Sequence, residues 1–342
     1  MSEAARVPTS KDVARLAGVS QSTVSYVMTG KRAISEKTRR LVLDAMDQLL
    51  YEPNAGARAL RSQRTSVIAL IVPFDSEMSA SELMTFIKEI AYISRQNDYD
   101  VLLVTSDEGA EGFRRVFARA QCDAAIVLEV AKSDKRVELA RQAPVPTIFI
   151  GFPDDSDDLH CIDMDFETGA ETLVNELCDV GSTEIVALGW DPVLAARDVN
   201  YIPRFRGAAE SAAARRGVPL RWLSVPREEG GVEEFLDEVL RDGRRPGLLV
   251  ASQVAKLGIA LFRRGIRAGT DIDVVALSNH ADAETQPIPL TAVSTHPGDV
   301  SRQAMDWLFA LLRSPEATAP GRRVVASELV RRESTRHIPR DN

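Results

Sequence analysis

The chain of 342 residues is long enough for more than one domain, and its 44% hydrophobic content suits packed cores rather than a disordered or fibrous chain. No apolar run reaches bilayer-spanning length and Met1-Ser2-Glu3-Ala4-Ala5-Arg6 has no apolar signal core, so the expectation is a cytoplasmic protein without membrane contact. The net charge of −8 hides an asymmetry: residues 1–64 hold 11 Lys/Arg against 6 Asp/Glu, a balance of +5, and the other 278 hold 31 against 44, a balance of −13. A basic head on an acidic body concentrates attraction for phosphate at one end of the chain.

The elements begin with Thr9-Ser10-Lys11-Asp12-Val13-Ala14-Arg15-Leu16-Ala17-Gly18-Val19-Ser20. Thr9 with Asp12 has capping-box spacing, Val13, Leu16 and Ala17 share one helical face, and Gly18 suits a left-handed stop. Ser20 can cap a second helix at once, with Val24, Val27 and Met28 inward and Gln21, Ser22, Ser25 and Tyr26 outward. Two short helices joined by such a turn form the shape that places a helix in the DNA major groove. The same spacing also fits a small helical hairpin with no DNA role. A third helix runs from Glu36 to about Leu50, capped by Ser35, with Leu41, Val42, Ala45, Met46 and Leu49 as its apolar stripe.

Then comes Tyr51-Glu52-Pro53-Asn54-Ala55-Gly56-Ala57-Arg58-Ala59-Leu60-Arg61. With the helix-turn-helix and third helix before it, this stretch resembles the lactose repressor–galactose repressor (LacI/GalR) family, and the likeness continues more weakly through the remaining chain. Arg61-Ser62-Gln63-Arg64-Thr65 is a polar, hinge-like stretch, after which strands and helices alternate. Strands are expected at Val67–Val72, Val101–Thr105, Ala124–Leu128, Thr147–Ile150, Ile185–Leu188, Leu248–Ala251 and Val274–Leu277. Helical patterns cover Ser81–Arg95, Thr168–Val180, Arg206–Arg216, Val232–Leu240 and Val300–Leu312. This alternation points to an α/β body with parallel sheets covered on both faces, which one large doubly wound sheet would also satisfy.

The resemblance implies an all-α helix-turn-helix head at 1–51, a hinge helix and linker at 52–64, and a periplasmic-binding-protein-like effector and dimerisation domain at 65–342. Its first lobe would take about 65–162 and 290–324, and its second about 163–289 and 325–342, the latter with a strand around Glu328-Leu329-Val330. A ligand would then bind in the cleft beyond the carboxyl ends of the strands.

For DNA, the resemblance implies base reading by Gln21, Ser22 and Tyr26. The Gln21 amide suits adenine, and Tyr26 stands where a relative carries an arginine able to grip guanine. Phosphate contacts fall on Thr9, Ser20, Ser25, Ser35, Thr38 and Asn54, which fix register without carrying sequence information. Lys31, Arg32, Lys37, Arg39, Arg40 and Arg64 add charge. The hinge segment Asn54–Arg61 is too short to be a stable helix alone. In the family it folds on DNA beside its copy, and Leu60 takes the place of the minor-groove wedge, with Ala57 small enough for close approach and Arg58 facing phosphate. The partners implied are double-stranded operator DNA, a second copy of the chain and a small-molecule effector, with a nucleoid-associated location. The C-terminal stretch has no heptads, so a dimer is expected rather than a tetramer.

In the body the family's sugar-gripping pattern is incomplete. Arg204-Phe205-Arg206-Gly207 keeps its arginine, but Ser252-Gln253 and Ser278-Asn279 replace the Asn-Asp and aspartate positions, and another aspartate position falls near Gly151. Lost acceptors weaken selection for sugar hydroxyls. Phe74, Phe152 and Trp190 join Arg204, Ser252 and Ser278 as effector-binding candidates. Three readings stay open: a less polar or anionic ligand with Arg204 as counter-charge, no effector and a body that only dimerises, or a sugar held by different residues. The loop from Trp190 to Arg204 also reads as longer than its counterpart.

No GxGxxG, P-loop or GxSxG elbow occurs, and His160, His280, His296 and His337 lack metal spacing, so no enzyme, cofactor or metal is expected. Cys122, Cys161 and Cys178 are odd in number and lie outside CxxC spacing, which favours reduced thiols. The acidic run from Asp154 to Asp165 reads as a solvated loop. The expected function is sequence-specific transcriptional regulation by a homodimer on a pseudo-palindrome, as a repressor. An activator and a ligand-independent regulator remain the alternatives.

Overall fold

The computed structural model describes residues 8–29, 32–51, 64–72, 80–105, 109–227, 230–241, 243, 245–314, 316 and 319–336. Its contacts divide the chain into two compact units, Met1–Thr65 and Ser66–Asn342.

In the first unit, α1 (Ser10–Ala17), α2 (Gln21–Thr29) and α3 (Glu36–Gln48) form a helical cluster. The Asp12 carboxylate accepts hydrogen bonds from the Thr9 N–H at 2.9 Å and the Thr9 hydroxyl at 2.6 Å, which starts α1. Gly18, at φ +66°, ends it in the left-handed conformation that costs glycine least. Ser20 Oγ accepts from the Thr23 N–H and Ser35 Oγ from the Thr38 N–H, so both following helices carry serine caps. Val13, Ala14, Val24, Val42 and Ala45 are buried, with Val27, Met28, Met46, Leu49 and Tyr51 packed around them. Two expected core residues lie outside: Leu16 is 49% and Leu41 46% exposed. So small a core admits a narrow stripe from each helix, and Leu41 sits a full residue, about 100°, around from Val42.

The second unit contains two six-stranded sheets. The first is built from β1 (Val67–Val72), β2 (Asp100–Thr105), β3 (Ala124–Val127), β4 (Thr147–Ile150), β5 (His160–Met164) and β11 (Gly321–Val325), in the order β2-β1-β3-β4-β5-β11 and parallel throughout. The second uses β6 (Ile185–Leu188), β7 (Leu220–Leu223), β8 (Gly247–Val250), β9 (Val274–Leu277), β10 (Thr291–Val293) and β12 (Leu329–Val330), in the order β7-β6-β8-β9-β10-β12. Only β12 runs antiparallel, pairing Leu329 with Val293. The two lobes thus repeat one topology, each with its strand order reversing beside its first strand.

Each sheet is covered on both faces. Ile68, Leu70 and Val72 point into one core and Ala69 and Ile71 into the other, the two-residue period of a buried strand. One face of the first sheet packs against α4 (Ala80–Gln96) and α13 (Pro297–Arg313), the other against α5 (Gly109–Ala118) and α6 (Arg136–Gln142). The second sheet lies between α7 (Phe166–Asp179) with α9 (Tyr201–Arg216) and α10 (Gly231–Leu240) with α11 (Val254–Arg263). Two short helices, α8 (Pro192–Ala195) and α12 (His280–Glu284), sit after β6 and β9.

The chain passes between lobes after β5, β10 and β11. The expected lobe boundary at 290 moves, because Ala292 pairs in parallel with Ala276 and so places β10 in the second sheet. The boundary at 162 moves likewise, since β5 continues to Met164 beside β11.

Candidate functional site

Two surfaces concern function, one in each unit. On the head, Gln21 and Ser22 are exposed, Tyr26 is 36% exposed, and Val24 between them is buried. The three candidate base readers therefore occupy the outward side of α2. Gln21 Nε2 donates to Ser10 Oγ at 2.8 Å, Ser22 Oγ lies 2.8 Å from Ser20 Oγ, and the Arg32 guanidinium lies 5.8 Å from the Tyr26 ring centre. Ser20 and Ser35 stand at the N-termini of α2 and α3, where helix dipoles favour anions. Thr38 faces Ser35 with its hydroxyl 2.8 Å away, Thr9 is tied to Asp12, and Ser25 is half-buried. Asn54, Ala57, Arg58, Leu60 and Phe74 lie outside the described residues.

In the body, a cleft of about 340 Å³ lies at the carboxyl ends of strands from both sheets. This is where open α/β sheets place ligands. Leu128, Ile150, Asp163 and Met164 line it from the first lobe, and Trp190, Ala251 and Leu277 from the second. The lobes meet at Gly151, whose φ is +132° and where a Cβ would lie 2.8 Å from Asn200 Nδ2 of the second lobe and 2.8 Å from Val130 Cβ of its own. The loop after α8 crosses to the first lobe there. Asn200 donates to the Val130 carbonyl from its side chain at 2.7 Å and from its backbone at 3.1 Å, and the Lys132 N–H donates to the Asp198 carbonyl at 2.8 Å. At another contact, Ser81 Oγ donates to the Asp282 carboxylate at 2.6 Å.

The effector candidates separate. Trp190 lines the cleft as part of an aromatic group, with Tyr201 at 5.8 Å, Phe205 at 5.6 Å and Trp222 at 6.1 Å between ring centres. Ser252 and Ser278 also line it, but donate their hydroxyl hydrogens to the Gly189 and Asn279 carbonyls. Phe152 packs instead beneath the guanidinium of Arg204, 4.6 Å from its ring centre, and is not among the lining residues.

Arg204 is not a spare counter-charge, which corrects the expectation for an anionic ligand. Its guanidinium donates to both Glu167 carboxylate oxygens at 2.7 and 2.8 Å, to Asp163 at 2.6 Å and to Asn200 Oδ1 at 3.3 Å. Two carboxylates already neutralise it. Burial pushes the Asp163 carboxyl up to about 6, against the pull of Arg204. Burial also works against Glu167, but the hydrogen bonds and charge of Arg204 outweigh it and hold that carboxyl below its ordinary value.

Several cleft residues escaped the sequence reading. Asp163 belongs to β5 and Asp165 caps α7 by accepting from the Thr168 N–H, so this end of the acidic run is structured rather than solvated. Asp191 accepts from the backbone N–H groups of Val193 and Arg227. Glu82 and Asp282 also line the cleft, and their positions carry no local motif.

Among the described residues no helix is long and apolar enough to cross a membrane, and no group of three or more His, Cys, Asp or Glu is placed to hold a metal ion.

Residues 9–54 match the family model described as bacterial regulatory proteins of the lacI family, and residues 174–335 match that of the periplasmic binding protein-like domain. The HTH-type transcriptional regulator RegA of Clostridium saccharobutylicum is 29% identical over 95% of this chain and 98% of its own length. The catabolite control protein A of Priestia megaterium is 25% identical over 87% of this chain and 90% of its own. The HTH-type transcriptional repressor PurR of Vibrio cholerae strain M66-2 is 28% identical over 90% and 92%. The lac repressor dimer bound to operator and the anti-inducer ONPF superposes with a TM-score of 0.83 at 22% identity, over 97% of this chain and 100% of that one, a likeness of fold. The chain thus carries a helix-turn-helix domain matching the lacI family of bacterial regulatory proteins at its N-terminal end and a periplasmic binding protein-like domain over much of its body.

Proposed function

We propose that this protein represses transcription by binding a pseudo-palindromic operator as a homodimer, with α2 of each head in the major groove. The observation that carries this reading is the division of α2 into a buried Val24 side and an outward Gln21, Ser22 and Tyr26 side, on a helix capped by Ser20. Leu60 acts as the wedge that opens the central base step, and Ala57 and Arg58 support that hinge. Thr9, Ser20, Ser25, Ser35, Thr38 and Asn54 contact phosphates.

A dimer is needed because one wedge requires its copy. Apolar side chains available for a second copy are Met84 and Tyr92 on α4, 58% and 62% exposed, and Ile259 and Phe262 on α11, 44% and 68% exposed. A small molecule in the cleft then favours one arrangement of the lobes, and that arrangement favours or opposes operator binding. The location that follows is cytoplasmic, at the nucleoid. We assign no reaction to the cleft, since Asp163 and Asp191 are committed to Arg204 and to backbone N–H groups.

The test is operator binding by two variants of the full chain. Leu60→Ala is expected to weaken specific binding while sparing salt-sensitive binding to unrelated DNA, and Gln21→Ala to change the preferred bases. Equal loss on both DNAs for the first, or an unchanged site for the second, would remove that residue from its role.

A further inference from the structure

The cleft has a charge character that the serine substitutions conceal. Five carboxylates line it, from Glu82, Glu129, Asp163, Asp191 and Asp282, against two cations, Arg227 and Lys256. Even with Arg204 counted behind Asp163, negative charge is in excess.

Arg227 and Lys256 also neighbour each other through the Arg227 main chain. The Arg227 N–H donates to Asp191, and Lys256, an exposed residue, donates to the Arg227 carbonyl. Glu82 and Asp282 sit at the contact between α4 and α12, where the Asp282 carboxylate accepts from the neutral donors Ser81 and Asn279, at 2.6 and 2.8 Å. Burial raises the pKa of Glu82, and the charge of Asp282 adds to it.

A second feature is independent of charge. Gln253 has φ +53°, in the left-handed region, and donates its side-chain N–H to the Val225 carbonyl at 3.2 Å. That leaves its Oε1 buried without a hydrogen bond, an acceptor that calls for a donor. Trp190 and Tyr201 supply aromatic wall beside these acceptors.

We infer that the cleft takes a small ligand carrying a protonated amine on an apolar or ring-shaped body, and rejects its anionic counterpart. This rests on the reading of the cleft as an effector site. An ammonium offers donors and no acceptor, which matches carboxylates and a bare amide oxygen. Aromatic faces add cation–π attraction. Cleft volume is at the lower end of the small-molecule range, about 300–1,000 Å³. An added carboxylate would meet like charge in a site of low dielectric, where repulsion is strong.

The experiment uses the full-length protein and two matched triplets: glucosamine, glucose and glucuronate, then phenethylamine, phenethyl alcohol and phenylacetate. Tryptophan fluorescence and calorimetry read binding, and operator binding is measured on the same preparation. In at least one triplet the amine is expected to bind at least about tenfold tighter than the alcohol, with no saturable binding of the acid, a margin set by a close charge pair. E82Q and D282N should each reduce that margin without lowering the melting temperature. Binding of an acid or alcohol as tight as the amine in both triplets, or no saturable binding of either amine, overturns the proposal. If operator binding persists in that case, the regulator reading stands and only the ligand class falls.

Discussion

The head and the body solve the same packing problem at different scales. The head closes around five buried side chains from three helices of 8, 9 and 13 residues. The body wraps helices over both faces of two six-stranded sheets and has four separate apolar cores. One unsuitable side chain in the head therefore removes a large part of its core, whereas the body spreads a similar insult over many neighbours. The difference extends to charge. The head keeps its charged groups at the surface, where phosphate reaches them, while the body buries ionic groups such as Arg204 with Asp163 between its lobes. The head can bind by simple presentation; the body can respond by rearranging.

Substitutions in the two units should separate them. The largest effect is expected from Val24→Asp, which places a charge in the head's core. Specific DNA binding should fall by about a thousandfold or more, to the non-specific level, in a retardation assay. Body melting should stay unchanged; a shared loss would mean that the two units do not fold separately.

Next in size is Arg204→Met, which strands the buried Asp163 carboxylate. Breaking such a pair costs about 3–5 kcal/mol, readable by denaturant unfolding of the body. A change within error would show that the pair contributes little.

A smaller effect comes from Asp163 itself. Its folded carboxyl titrates at about 6 against an ordinary 3.8, chiefly through burial. The folded state holds that proton more tightly than the unfolded chain, so this group's stabilisation is present below 3.8 and lost as pH rises through about 6. Asp163→Asn should make body stability fall less steeply across that window, and an unchanged slope would count against the assignment. Smallest is Ser35→Ala, which removes the α3 cap and should cost the head about 1 kcal/mol with no effect on the body.

The head was legible in the sequence because its signals are local: Thr9 with Asp12, Gly18, Ser20 and Ser35 each mark a boundary within a few residues. What spacing overstated was the width of the core, at Leu16 and Leu41. In the body, Val67–Val72 and its kin announced buried strands, while the three-residue β10 passed unnoticed, and so did β5, β7 and β11. Their runs carry His160 and Asp163, Arg221 and Trp222, or Arg322 and Arg323, which interrupt the apolar signal. Assembly of the cleft was the least legible part. Ser81 and Asp282 meet although they stand 201 residues apart, and Arg204, promising as a lone cation, meets Asp163 and Glu167 only in the folded chain.

The central claim is that paired heads read a defined operator. Selection of bound fragments from a random DNA pool by the full-length protein tests it most directly, run once with purified protein alone and once with cell extract to supply any co-repressor. The account predicts a pseudo-palindrome with half-sites related by two-fold symmetry in at least one run, lost in Val24→Asp. No enriched sequence in either run, or a single site without symmetry, would contradict it.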